Sequence, residues 1–216
     1  MLENLRLKNP KIRFYSVYDK EFAPFGRVIE GVDTSEIIRV AKTIKKPECG
    51  SAYVPTEPLF EALPIADTIK NAFFGTLDTQ VGYCWGYNKK MDATEWHTSS
   101  EINIAVTPMV LILGHLWDVE DGQIDSSKFI AFYCPEGVTV EVYNTSLHYC
   151  ACQVSDEGFG AVIGLPKNTN TPLTDEPKSR FLYRRNKWII ACKDNKALIE
   201  NGIEGGISGI NYTIKY

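Results

Sequence analysis

From residue 79 to about residue 164 the hydrophobic positions fall in short runs at 80–88, 102–106, 109–114, 128–134, 138–143, 147–154 and 160–165. These runs are rich in β-branched and aromatic residues, and turn residues separate them, which is the pattern of successive strands. So little helix lies between them that parallel pairing, which needs long crossovers, is ruled out in favour of an antiparallel sandwich or barrel. A further strand is expected over 181–192. Helical spacing is confined to the first third of the chain. Asp33 and Thr34 precede a segment, 35–44, in which Ile37, Val40, Ala41 and Ile44 recur on one face, and a second short helix is expected over 65–74, closed by Gly75. Polar residues at 167–172 and 175–178 predict a surface loop.

With 216 residues the chain is long enough for one substantial core. A single domain is expected: mixed strands and helices over 1–78, a barrel over 79–192, and an extension over 193–216 packed against it. Composition is that of a soluble globular protein, 44% hydrophobic and 23% charged, with no uninterrupted apolar run of membrane-spanning length. The net charge of -4 and scattered basic residues argue against nucleic acid as a partner. The cluster Lys178, Arg180, Arg184, Arg185 and Lys187 reads as a solvated face. Glu3, Arg6 and Lys8 interrupt the apolar stretch a signal peptide would need, so the expected location is the cytoplasm. The six cysteines follow no disulfide framework and read as reduced thiols, with Cys150 and Cys152 as small buried hydrophobes.

Candidate chemistry is concentrated at Glu95, His97 and Glu101. The three share one parity, so in an extended strand they leave the same face while Trp96 leaves the other. Four residues of straight strand cover about 13 Å, too far for His97 and Glu101 to share an ion with bonds of about 2 Å. The chain must therefore turn at Thr98, Ser99 and Ser100 and bring Glu101 back at the start of an antiparallel neighbour. A second ligand source is His148, which follows the turn at Pro135, Glu136 and Gly137, a strand, and a tight turn at 144–146. It is expected to start a strand whose alternate residues are Cys150 and Cys152.

These residues carry a resemblance. E-x-H-x-x-x-E, then P-x-G and a single later histidine, resembles the two-part cupin motif, whose first part usually reads H-x-H-x-x-x-E. Glu95 stands where the first histidine would be. The resemblance implies a cupin-type antiparallel β-barrel (double-stranded β-helix or jelly roll) with one or two short N-terminal helices. It also implies a divalent metal, Mn, Fe, Ni or Zn, held by Glu95, His97, Glu101 and His148; the extra carboxylate shifts preference towards harder ions. Residues 22–30 and 137–143, with His148 downstream, are similar to the ureidoglycolate lyase branch of cupins. The whole chain resembles a bacterial family known as a domain of unknown function.

Around this centre other roles remain open. If the bulky set Val81, Tyr83, Trp85 and Tyr87 packs outside against the N-terminal helices, Gln80 and Asn88 are free to bind a polar ligand; otherwise they face water. Glu141 is a general acid or base if its face is the barrel interior, and a solvated glutamate if not. Lys167 is a candidate for a substrate carboxylate or phosphate, against the alternative of a loop lysine. His115 reads as a loop histidine. The function expected is a metal-dependent lyase or isomerase/epimerase of small-molecule catabolism, acting on a hydroxy acid, ureido acid or sugar. The rival is a non-catalytic metabolite- or sugar-binding cupin. The partner expected is a small polar metabolite, and the cupin resemblance implies pairing of two barrels as a homodimer.

Overall fold

The computed structural model describes residues 1–174 and 179–216; the expected loop over 175–178, with Lys178 of the basic cluster, lies outside them. The first third contains α1 (Leu2–Lys8), β1 (Arg13–Ser16), β2 (Gly26–Ile29), α2 (Ser35–Ala41), β3 (Ser51–Val54), α3 (Pro58–Glu61) and α4 (Pro64–Thr68). Helix α4 runs into a π-helical turn over Ile69–Phe73, and Gly75 follows at φ +55°. The middle contains β4 (Thr79–Gly86), β5 (Ala93–Trp96), β6 (Glu101–Ala105), β7 (Met109–His115), β8 (Ile124–Asp125), β9 (Ile130–Cys134) and β10 (Thr139–Val142). Then come β11 (Ser146–Leu147), β12 (Cys152–Gln153), β13 (Phe159–Pro166), β14 (Leu182–Arg184), β15 (Lys187–Cys192), α5 (Lys196–Glu200) and β16 (Gly205–Ser208).

One sheet runs β2-β10-β6-β13-β4-β3, and the other carries β9, β7 and the pair β11 and β12. Strand β5 joins the second through a bridge between Glu95 and His148. Number the eight barrel strands in chain order, with β11 and β12 as one. The sheets then read 1-8-3-6 and 2-7-4-5, the strand order of two nested Greek keys in a jelly roll. The fold is a cupin-type β-barrel. Pairs among the eight barrel strands are antiparallel, while β1 adds in parallel to the edge strand β9, and β15 with β16 and β16 with β8 pair in parallel outside the barrel.

Alternation along the strands decides which side chains reach the interior. Val140 and Val142, Ala161, Ile163 and Leu165, and Leu111 and Leu113 meet Phe22, Phe25 and Phe132 between the sheets. Ile102, Ile104 and Val162 point the other way and are covered by Ile37, Phe60, Ile65 and Ile69 of the helical first third. Val81, Tyr83 and Trp85 belong to this outer layer, so the bulky set of β4 packs against the N-terminal segment and Cys84 faces inward. On the outside of the second sheet, Val110 and Ile112 are covered by Leu5, Phe14, Tyr212 and Ile214, from the two ends of the chain.

Several elements differ from the sequence expectation. The run 147–154 is broken, because Asn88 Nδ2 donates to the carbonyls of Cys150 (3.2 Å) and Ala151 (3.2 Å) and draws them out of the ladder. The run 181–192 is a hairpin, β14 and β15, that turns at Asn186 with φ +55°. His115 ends β7, with its ring stacked between Phe25 (4.0 Å) and Trp117 (4.1 Å). The basic cluster is dispersed: Arg180 pairs with Glu204, Arg184 lies over the Tyr183 ring, and Lys187 points into the barrel. Among the described residues, no helix is long and apolar enough to cross a membrane.

Candidate metal centre and its cavity

Strand β5 ends at Trp96, a bend occupies Thr98 and Ser99, and β6 starts at Glu101, so the chain reverses where the spacing required it. The bend is fixed by Asn186, whose side-chain oxygen accepts from the Thr98 N–H (3.0 Å) and hydroxyl (2.6 Å). Glu95, His97, Glu101 and His148 are all buried, and each offers a ligand atom within 4.8 Å of the other three. Glu101 Oε2 is 3.5 Å from Nε2 of both His97 and His148; Glu95 Oε1 is 3.8 Å from His97 Nε2.

The backbone orients both imidazoles. His97 Nδ1 lies 2.6 Å from the carbonyl of Asn186, and His148 Nδ1 lies 3.0 Å from that of Ser146. A carbonyl only accepts, so each Nδ1 carries the proton and each Nε2 is turned to the centre. Both Nε2 atoms are buried and have no hydrogen-bond partner. The carboxylates divide their oxygens in the same manner. Glu101 gives Oε2 to the imidazoles and accepts from Asn103 Nδ2 (3.0 Å) at Oε1. Glu95 turns Oε1 to His97, and its Oε2 is ion-paired with Lys187 Nζ. Two unpartnered imidazole nitrogens facing two carboxylate oxygens, each ligand oriented by an outer contact, form a donor set that fits a divalent ion.

The electrostatics follow from this crowding. Burial disfavours charge on both His148 and Glu101. For His148 the carboxylates of Glu101 and Glu95 outweigh it and raise the imidazole to about 9. For Glu101 the two imidazoles outweigh it, and the carboxyl is held far below its ordinary range. Without an ion, the centre is an imidazolium–carboxylate pair.

A cavity of about 240 Å³ opens beside the centre, with Glu95, Glu101 and His148 in its wall, together with Asn103, Tyr53, Asn170, Tyr149, Lys187, Cys84 and Cys150. His97 stands behind this wall. Burial keeps the hydroxyls of Tyr53 and Tyr149 protonated well past the usual tyrosine range. Cys84 Sγ is 3.9 Å from Cys150 Sγ. Their contact and burial push the Cys84 thiol up, whereas the Cys84 contact lowers Cys150 against the effect of burial. Cys150 both lines the cavity and packs against the core between the sheets; Cys152 is fully buried in the core.

The other expected site residues lie elsewhere. Glu141 is on the outer face of β10, because Val140 and Val142 take the interior, and its carboxylate accepts from Arg27 Nε at 2.7 Å. Gln80 is buried but donates to the Thr169 carbonyl (2.9 Å), tying down the loop after β13. Asn88 holds the broken strand described above, and Lys167 is exposed. None of these four lines the cavity around the centre. Lys187, Asn103 and Asn186 take their place. Lys187 shares its parity with Ile189 and Ala191, so a lone lysine heading an apolar strand face was the signal for it. Asn103, two residues from Glu101 between Ile102 and Ile104, had the same kind of signal.

Fold and site together define the class: a cupin-type β-barrel with a buried centre of two histidines and two glutamates. The chain belongs to the family described as Domain of unknown function (DUF4867), whose model matches residues 14–212. Solved structures with partial similarity include a variant of oxalate decarboxylase OxdC from Bacillus subtilis, 12% identical over 59% of this chain and 31% of that one, with a TM-score of 0.32. Salicylate 1,2-dioxygenase from Pseudoaminobacter salicylatoxidans is 8% identical over 61% and 29%, also at 0.32. The coconut allergen cocosin is 13% identical over 56% and 27%, again at 0.32. The matches cover about a third of those proteins, and the class rests on the strand order and the site above. No curated protein matches this chain. The two segments on which a likeness to ureidoglycolate lyases was expected form the β2–β10 pair and the Phe22 and Phe25 packing, which build the barrel wall rather than the centre, and no comparison points to that branch.

Proposed function

We propose that this protein is a metal-dependent enzyme acting on a small polar metabolite, a lyase or isomerase of hydroxy acids, ureido acids or sugars. The observation that carries the reading is the pair of buried, unpartnered Nε2 atoms of His97 and His148 converging with carboxylate oxygens of Glu95 and Glu101. Those four residues would hold a divalent ion, and that ion supplies a Lewis acid that polarises a carbonyl or hydroxyl oxygen. The chain's own groups do the rest. Tyr53 and Tyr149, kept protonated by burial, orient a substrate oxygen by donating their hydroxyls. Glu141, the general base expected from sequence, faces away from the cavity, and the thiols of Cys84 and Cys150, 3.9 Å apart, stand in its wall beside the centre.

The test is metal content of protein purified without chelator, measured for wild type, His97→Ala, His148→Ala and Cys150→Ser. A stoichiometric ion in wild type, lost in both histidine variants and kept in Cys150→Ser, is the expected result. The variants should stay folded, since ligand removal takes away little apolar burial. A wild type without metal after incubation with Mn(II), Fe(II), Ni(II) or Zn(II), or His148→Ala with unchanged content, would refute the assignment of the centre. Metal retained without turnover on any acid or sugar would favour a metabolite-binding protein.

A further inference from the structure

The cavity has a second polar pole opposite in kind to the carboxylates. Lys187 begins β15, its side chain is 15% exposed, and its Nζ lies against Glu95 Oε2 in the cavity wall. An ammonium carries three donors, and the protein groups against this one are the ion-paired Glu95 carboxylate and the Tyr149 ring, 5.7 Å from Nζ. Asn170, also in the wall, donates to the Tyr53 hydroxyl oxygen (3.1 Å), and its own Oδ1 is buried without a partner. The cavity thus holds spare ammonium donors and an acceptor awaiting a donor, two features that protein contacts leave unsatisfied.

Charge sets the sign of what completes them. With a divalent ion on two carboxylates and two neutral imidazoles, the centre sums to zero and the Lys187 ammonium remains uncompensated. The cavity wall, among the described residues, carries no further charged side chain. An excess positive charge in a buried cavity is costly unless a ligand brings its counter-charge.

We infer that the cavity takes a small monocarboxylate bearing a hydroxyl or N–H group, its carboxylate received by Lys187 Nζ and its donor group by Asn170 Oδ1. This rests on the metal-dependent reading above and narrows it: hydroxy acids and ureido acids fit, and neutral sugars do not. Lys187 is then the residue that sets specificity, with Glu95 holding its ammonium in place.

The experiment uses the full chain saturated with Mn(II), with Mn(II) content measured on every sample. Calorimetry compares glycolate, lactate and N-carbamoylglycine with glycolamide, lactamide and N-carbamoylglycinamide, their uncharged counterparts. At least one acid should bind at least about tenfold more tightly than its amide, about 1.4 kcal/mol. Lys187→Met should lose that preference and Lys187→Arg should recover part of it. Asn170→Leu should weaken the acids while leaving the charge preference. Equal binding of acids and amides by wild type, binding of none of the acids, or an acid preference unchanged in Lys187→Met would overturn the inference while leaving the metal centre standing. If Lys187→Met fails to hold Mn(II), the wild-type comparison of acid with amide decides. A wild type that binds no Mn(II) overturns the metal reading itself.

Discussion

Metal uptake by this centre should release a proton, and the amount follows from His148. Its Nε2 faces Glu101 at 3.5 Å, with Glu95 and His97 completing the surroundings, and the metal-free imidazole is raised to about 9. A metal takes only the neutral imidazole. At pH 7, about 2 units below that value, roughly 99 in 100 molecules carry the proton and the apparent affinity is about 100-fold weaker than above pH 9, or about 2.7 kcal/mol. Glu101, held far below its ordinary range by the imidazoles, stays ionised and contributes no proton. Titration calorimetry of Zn(II) in buffers of different ionisation enthalpy should therefore count at least one proton released per ion at pH 7. The count should fall by about one in His148→Gln, and affinity should rise about tenfold per pH unit between 6 and 8.

The same shift sets the stability of the metal-free protein. The folded value lies above the unfolded one, near 6.5, so the imidazolium–carboxylate contact stabilises the fold fully below pH 6.5. That contribution, on the order of 3 kcal/mol, is lost as pH rises through 9. Urea unfolding of chelated protein should show it as a falling midpoint between pH 6.5 and 9, absent in His148→Gln. An affinity flat from pH 6 to 8, together with no proton release, would refute the claim that His148 is charged in the metal-free centre.

Three further outcomes follow from particular contacts. Asn103→Leu removes the donor on Glu101 Oε1 and should lower metal affinity about 10- to 100-fold in a chelator competition, with the fold retained. Asn186 adopts φ +55° while its carbonyl orients His97, so Asn186→Ala should lose about 1–3 kcal/mol in denaturant unfolding. Asn186→Gly relieves the φ strain but still lacks the two hydrogen bonds to Thr98, and should lose less. Glu141→Gln should leave metal content unchanged and stability within about 1 kcal/mol, because its pair with Arg27 lies on the outer face; loss of turnover in that variant would return Glu141 to the catalytic machinery.

The barrel was legible because its information is local. Alternation in β6, β7, β10 and β13 needs only neighbouring residues to be read, and each falls within a residue or two of its expected place. The misread elements depend on contacts across the chain. The run 147–154 has the composition of one strand, yet a side chain 62 positions earlier, Asn88, takes the carbonyl of Cys150. The strands β1, β2 and β3 are only four residues long, too short for a periodic signal, and take their form from β9, β10 and β4. Helix α5 is five residues long and was invisible for the same reason.

The centre shows the same division at finer scale. Parity aligned Glu95 with His97, and the reach of a metal bond forced the bend before Glu101; both are arguments about one continuous segment. His148 needed the closed barrel, where a single bridge sets it opposite Glu95. What orients these ligands comes from farther still: Asn186 and Lys187, about 90 positions downstream, form the hairpin edge that holds His97 by a carbonyl and Glu95 by an ammonium. Lys187, read from sequence as part of a solvated basic face, thus supplies an outer contact of the site. Parity alone placed Glu141 opposite Val140 and Val142, but which face was the interior depended on Phe22, Phe25 and Phe132 filling it. Side chains that would bind an ion were readable from their spacing. Those that set its surroundings were fixed only when distant strands met, so the chemistry of the cavity, and the substrate it selects, depends on residues such as Lys187 that carry no motif.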